Sequence, residues 1–453
     1  MKKFLTILVV LALTVISSLA FAEINMSGSM DIRNLSLNNT TLDGKAANRT
    51  TQERLRLNID AKSENVKGRI TIENDWEVWG QEISSVPGAP ANSFEARQGQ
   101  TIVNDKNGAK ADSQTFGFRE AWMEFALPGV PVSVKVGHQL LQIGNGWFLR
   151  SMKYGSDAWL VTNTMGDNTF AVMNLKLKEN IAASTDDTDA YALIDVYKLN
   201  DTNTFGADLT YMNDPKGKGT LGEVVAKTIY MNPGTKTTFM NIGLNYNGKI
   251  GPVNLKAEVD LQNGTATGAS STGKDLTFAG NQIVLQANMK PMDALTVNAT
   301  IANGSGDGNS TDSNVDNYVT FLDADPHYTL VYEYFLKGAS KAKDTGFSNT
   351  QAIGVGANYV ISPSLSMNLD IWMLSAVEKV ALGDSTGGTT KSAELGTEVD
   401  VKINWKLYDT LTWNWTIGKF MPGAAYNTAS TTSAAGKSVD DVDAIQGVLS
   451  YKF

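Results

Sequence analysis

Residues 393–407 read AELGTEVDVKINWKL, and apolar and polar side chains alternate along them. Leu395, Thr397, Val399, Val401, Ile403, Trp405 and Leu407 share one face, while Glu394, Gly396, Glu398, Asp400, Lys402, Asn404 and Lys406 share the other. A helix drawn through this stretch would scatter its charges over the whole surface, so only the two-residue period of a strand separates the two sets. The pattern recurs elsewhere. Val253, Leu255, Ala257, Val259 and Leu261 alternate with Asn254, Lys256, Glu258, Asp260 and Gln262, and Leu55, Leu57, Ile59 and Ala61 with Arg54, Arg56, Asn58 and Asp60. Soluble strands typically run about 5 to 6 residues, whereas these run to about ten or more, enough to cross a bilayer at a tilt of about 45°. The expected fold is therefore an all-β transmembrane antiparallel barrel. Its apolar face meets lipid, its polar face meets a wet lumen, and closure leaves no unpaired edge.

Laid end to end, the alternating segments are expected at 24–37, 50–62, 67–80, 115–127, 131–143, 157–165, 168–178, 189–199, 203–212, 237–248, 252–262, 279–289, 294–303, 350–360, 364–375, 393–407, 410–420 and 443–453. That makes about eighteen strands, an even number as a bacterial barrel requires, with about sixteen as the alternative count. HYTLVYEYF, at 327–335, is assigned to a loop. Short turns at 128–131, 166–167, 291–293, 362–364 and 408–409 alternate with long Gly-, Ser-, Thr-, Asn- and Asp-rich segments at 81–114, 213–236, 304–349 and 421–442. This is the asymmetry of periplasmic turns and extracellular loops. Of the long loops 81–114 and 304–349, at least one is expected to fold over or into the mouth and set the pore radius.

Both ends of the chain agree with this localisation. Lys2 and Lys3 precede an apolar run from Phe4 to Ile16, and Ala20-Phe21-Ala22 offers the small residues of a cleavage site, so 1–22 reads as a signal peptide and 23–453 as the barrel. The final residues are AIQGVLSYKF, with Leu449, Tyr451 and Phe453 on one face, which resembles the terminal signal read by the barrel assembly machinery. Alternation begins close to Glu23, so no plug domain is expected. Cysteine is absent, which excludes disulfides, thiolate metal sites and haem attachment. The only histidines are His138 and His327. Against 47 acidic residues stand 38 basic ones, or 36 once Lys2 and Lys3 are removed, so the net charge goes from -9 to -11 and argues against nucleic acid as a partner.

Two hairpins carry a family resemblance. FREAWMEFALPGVPVSVKVGHQLLQIGNGWFL (118–149) resembles the porin pattern of strand, tight turn and strand ending in a Gly-rich outer segment. ELGTEVDVKINWKLYDTLTWNWTIGKFMPG (394–423) is similar to the C-terminal hairpin of the alginate-export family. The resemblance implies a Gram-negative outer-membrane porin with an 18-stranded barrel. The acidic residues expected on the inward face, Glu258, Asp260, Asp370, Glu394, Glu398 and Asp400, differ from the cationic lining that a polyanion exporter would call for.

All eight arginines lie between Arg33 and Arg150. Arg33, Arg54, Arg56 and Arg69, with Lys256 and Lys402, are the expected basic pore lining, and Arg119 breaks the alternation of its strand as a bulge would. In a ring of this size the strand of Arg54 and Arg56 stands opposite that of Glu258 and Asp260, so these charges either set a field across the narrow part of the pore or merely solvate a wide lumen. Trp405, Trp413 and Trp415 share the lipid-facing parity of an aromatic girdle, leaving Trp79, Trp122 and Trp372 facing inward. No catalytic constellation, metal site or cofactor is expected. Asp307, Asp312 and Asp316 fall in a polar loop without the terminal glutamate of a calcium loop. The sequence thus points to passive passage of small hydrophilic solutes or ions. Alternatives are a channel selective for an organic acid or oligosaccharide, or a barrel sleeve around a periplasmic or electron-transfer partner. Expected partners are outer-membrane lipid and lipopolysaccharide, the assembly machinery, the solutes and, in a homotrimer, two further copies.

Overall fold

A computed structural model describes residues 23–39, 47–79, 116–179, 187–215, 236–267, 274–309, 312–322, 328–333, 346–380, 391–426 and 440–453. The expected signal peptide and the loop 81–114 lie outside them. The strands are β1 (Glu23–Asn38), β2 (Ala47–Lys62), β3 (Val66–Val78), β4 (Gly117–Ala126), β5 (Val132–Gln142), β6 (Leu149–Met165), β7 (Asn168–Lys178), β8 (Thr188–Asn200), β9 (Asn203–Asp214), β10 (Thr237–Ile250) and β11 (Val253–Ala266). They continue with β12 (Leu276–Phe278), β13 (Asn281–Met292), β14 (Leu295–Gly304), β15 (Asn314–Val315), β16 (Phe321–Leu322), β17 (Thr350–Ser362), β18 (Leu365–Val380), β19 (Ser392–Tyr408), β20 (Leu411–Pro422) and β21 (Val442–Lys452).

Three of these, β12, β15 and β16, are short strands of inward loops. The other eighteen form one antiparallel wall in chain order, closed where β1 pairs β21 from Ser29↔Lys452 to Asn38↔Asp443. Closure removes the edges that an open sheet would present. At the seam, Phe453 N–H donates to Gly28 O at 3.1 Å and Gly28 N–H to Phe453 O at 2.8 Å. A side chain at Gly28 would collide with the Phe453 ring, so the glycine makes room for the terminal aromatic.

The alternation sorts the two faces as the sequence implies. On β11, Val259 and Leu261 are 36% and 56% exposed on the outside, while the intervening Asp260 is 1% exposed on the inside. Trp405 and Trp413 stack at 6.4 Å on the outer face, and Trp415 follows 5.3 Å from Trp413, beside the β19–β20 turn. This is the place and chemistry of an interfacial girdle.

Irregularities in the pairing move individual residues off their expected faces. Thr71 pairs Glu120 and Ile72 pairs Phe118, so Arg119 is the extra residue of a bulge. A wider irregularity separates Gln139↔Ser156 from Leu141↔Ser151, which explains why β6 begins at Leu149 although alternation is legible only from about residue 157. On β19, Leu374 pairs Gly396 but Ser375 pairs Glu394. The extra residue, Leu395, therefore joins Leu374 and Phe420 in an inward apolar cluster. Glu394 is exposed opposite Ser375, a correction to both its expected face and that of Leu395.

Candidate permeation pathway

The inward face of β1–β4 carries a run of arginines, of which Arg54, Arg56, Arg69 and Arg119 are each set against a carboxylate. Arg54 donates to Asp31 on β1 at 2.8 and 3.2 Å, and Ser450 adds a 2.6 Å bond to the same carboxylate. Arg56 pairs with Glu73, which Arg119 approaches at 3.6 Å. Arg69 binds Asp60 at 2.6 and 3.0 Å and lies 3.9 Å from Glu120. Arg33, at the upper end, donates to Gln52 at 2.7 Å. Lys135 completes the run on β5, its ammonium 4.1 Å from the centre of the Trp122 ring. Each carboxylate is one strand away from its arginine, so the pairs fix where the guanidinium groups lie while leaving cations along the whole height of this wall.

Carboxylates elsewhere on the ring are held differently. Glu258 and Asp260 on β11, across the ring, and Glu398 and Asp400 on β19, three strands from β1, have no ion-pair partner among the described residues, and each is nearly inaccessible because a loop segment lies on it. The turn after β5 carries Asn145, whose backbone N–H donates to Glu258 and whose side chain donates to Ala257 O at 3.0 Å. This short segment thus leaves the β5–β6 side of the ring and reaches β11. Gly144 makes the approach possible. At its φ of 57° an added Cβ would lie 2.6 Å from Glu258 Oε2.

Segment 305–322 is held to the same wall. Asp260 accepts from Asn241 at 2.9 Å, Gln282 at 2.8 Å and Tyr318 at 3.4 Å. Burial beside that carboxylate raises the Tyr318 phenol well above its ordinary pKa, so it remains a neutral donor. Gln262 and Val319 exchange a reciprocal pair of bonds at 2.6 and 2.9 Å. Phe321 N–H reaches Phe148 O at 2.8 Å, which joins this loop to the one after β5. A third segment, 328–333, rests on β19. Leu330 N–H donates to Asp400 at 3.2 Å, and Val331 and Tyr332 donate to the two oxygens of Glu398 at 2.6 and 2.7 Å. Tyr328 packs between Phe347 and Trp372, with centroids 4.7 and 5.1 Å away. The upper lumen is therefore narrowed by loops whose backbone N–H groups are satisfied by wall carboxylates.

A closed barrel with a charged interior and inward loops is the architecture of a channel, and a model of the Gram-negative porin family matches residues 8–375. The chain belongs to that family. The porin is thus a protein of the bacterial outer membrane, and its family and fold are those of channels for solute diffusion. A search of curated proteins finds no match. Among solved structures from Pseudomonas aeruginosa, OccK2 (OpdF) is similar with a TM-score of 0.55 at 10% identity, covering 95% of this chain and 98% of that one. OccK11 (OpdR) gives 0.54 at 10% identity, covering 94% and 96%. OpdK with vanillate gives 0.53 at 10% identity, covering 95% and 98%. OccK2 has also been solved in complex with glucuronate, with a TM-score of 0.54 at 10% identity over 95% and 98% of the two chains. At such identities the likeness is one of fold. The strand count implied by the resemblance to the alginate-export family is the count in this wall.

The porin brings Arg33, Arg54, Arg56 and Arg69 together on adjacent strands, and Lys402 pairs with Asp370 at 3.3 Å. Lys256, level with Asn247 and Gln286, is exposed toward the turn end. Trp122 and Trp372 turn inward as expected, but Trp79 does not: its Nε1–H donates to Glu53 at 3.0 Å, on the face opposite Arg54. Within 305–317, Asp307 and Asp312 accept bonds from Asn309. Sequence alternation missed two features of the pathway. One is the Gly144–Trp147 segment, whose signal was an apolar Trp147-Phe148 pair inside a glycine-flanked turn. The other is Trp76, whose parity is opposite to that of Trp79 and gave no sign of an inward ring.

Proposed function

We propose that this porin is a water-filled channel for passive diffusion of small hydrophilic solutes and ions, with a preference for those carrying negative charge. The observation that carries the reading is the arginine run on β1–β4, which faces the lumen at several heights and offers planar donor forks suited to carboxylates. In the ring, β2 and β11 stand nine strands apart. The cations of β1–β4 orient a field across the lumen, and low-dielectric walls concentrate it. Glu258 and Asp260, on the opposite wall, are covered and act by holding loops. Residues 1–22 act in this account as the export leader.

A second, narrower reading is selectivity for organic acids. The same arginines support it, as do two structural neighbours, OccK2 in complex with glucuronate and OpdK with vanillate. Liposome swelling tests both readings against a closed sleeve. Glucuronate, glucose and glucosamine are similar in size and differ in charge, so the expected order of rates is glucuronate, then glucose, then glucosamine. Equal rates for all three would remove the charge preference, and no swelling with any would remove the channel.

A further inference from the structure

A bulge in β3 puts a tryptophan where alternation would not. Glu53 pairs Glu77 and Leu55 pairs Asn74, so Asp75 and Trp76 together stand opposite Arg54. The Asn74 side chain accepts the Leu55 N–H and caps the bulge. Trp76 has a φ of 41°, a left-handed conformation that is costly for a bulky residue and persists only where the surroundings enforce it. Glycine would take that conformation freely, so the backbone alone gives no reason for tryptophan here.

The reason lies at the ring. The guanidinium carbon of Arg33 is 3.9 Å from its centre and that of Arg54 is 4.3 Å away. Arg33 also donates to Gln52, and Arg54 donates to Asp31. Stacking engages the face of a guanidinium and leaves its in-plane N–H groups directed outward for hydrogen bonds. It also restrains two long, flexible, like-charged side chains that would otherwise spread apart, and restraint of this kind is what preorganises a binding group. Lower on the same wall, Lys135 over Trp122 repeats the arrangement with one cation.

We propose that Trp76 is a positioning residue for solute selection, its ring restraining the guanidinium groups of Arg33 and Arg54 so that their charges stay fixed at the β1–β3 wall. The inference rests on the anion preference proposed above and deepens it by naming what sets the geometry of the uppermost arginines.

The test uses the full-length porin in planar bilayers, with reversal potentials read in gradients of potassium chloride and of potassium acetate. W76G keeps the backbone conformation and removes the ring, W76L replaces the ring with an apolar side chain, and W76F restores an aromatic face. Heat-modifiable mobility identifies the folded variants, and either W76G or W76L suffices alone. The expected result is an anion-to-cation permeability ratio lowered at least about twofold in W76G and W76L and largely retained in W76F. The lowering should shrink as salt is raised toward 1 M, where screening acts within about 3 Å. A parent ratio above unity that W76G or W76L leaves unchanged overturns the inference alone. So does equal loss in W76F and W76G, or a lowered ratio that persists undiminished in 1 M salt. A parent with no anion preference overturns the function on which the inference rests.

Discussion

Replacing Glu398 with alanine should release segment 328–333 from the wall. Two backbone N–H groups, those of Val331 and Tyr332, end on its carboxylate at 2.6 and 2.7 Å, in a place where the carboxylate is fully buried. Leaving a buried donor unsatisfied costs about 1–3 kcal/mol, so the pair amounts to about 2–6 kcal/mol. Burying the carboxylate has its own cost, which the alanine variant recovers, and that places the net effect near the lower end, about 2 kcal/mol. Such a change lowers the ratio of docked to undocked segment by about 30-fold. Because the segment lies against the inward face of β19, undocking widens the lumen. Single-channel recording of Glu398→Ala should therefore show larger conductance with added current noise, and Glu398→Gln, which keeps one acceptor oxygen, should fall between. Unchanged conductance and noise in an alanine variant whose barrel is assembled would refute the claim that this carboxylate holds the loop.

Three other outcomes are expected. Val401→Arg or Val259→Arg, on the lipid face, should destabilise the barrel by about 2–4 kcal/mol near the midplane, whereas Lys402→Ala should leave heat-modifiable mobility intact; equal damage from both would invert the assigned faces. Asp260→Ala should be more disruptive than Lys402→Ala, because it strands donors on Asn241, Gln282 and Tyr318, and matching thermal midpoints would show that these bonds do not matter. Gly144→Val should displace the turn after β5, since its Cβ would meet Glu258 and valine tolerates positive φ poorly; a pore with parental conductance would place that turn outside the narrow region.

Strand positions were legible because alternation is a local signal that each strand repeats. The segment expected at 189–199 is β8, Thr188–Asn200, and the segment expected at 364–375 differs from β18, Leu365–Val380, only in stopping short at the loop end. What alternation could not supply was the position of extra residues. One bulge on β3 was enough to bring Trp76 to the arginines and to turn Trp79 away, and one on β19 exchanged the places of Leu395 and Glu394. Nor does any local pattern distinguish an inward carboxylate that meets water from one that meets a loop. Glu258 and Lys256 lie two residues apart on β11, and only the first receives Asn145, which is 113 residues away in sequence. Such contacts depend on where a loop returns after leaving the wall, and that is a property of the closed ring.

The most direct test of the account is the reversal potential of the parent porin in a planar bilayer under a tenfold potassium chloride gradient, read beside that of Arg54→Glu with Arg56→Glu. The account predicts stepwise channels whose reversal potential is displaced toward that of chloride, and a displacement toward that of potassium in the double variant, larger in dilute salt, where weak screening lets wall charges act over about 10 to 30 Å. A parent that conducts with cation preference, or a double variant indistinguishable from it, would contradict the claim that the arginine wall of β1–β4 governs what passes.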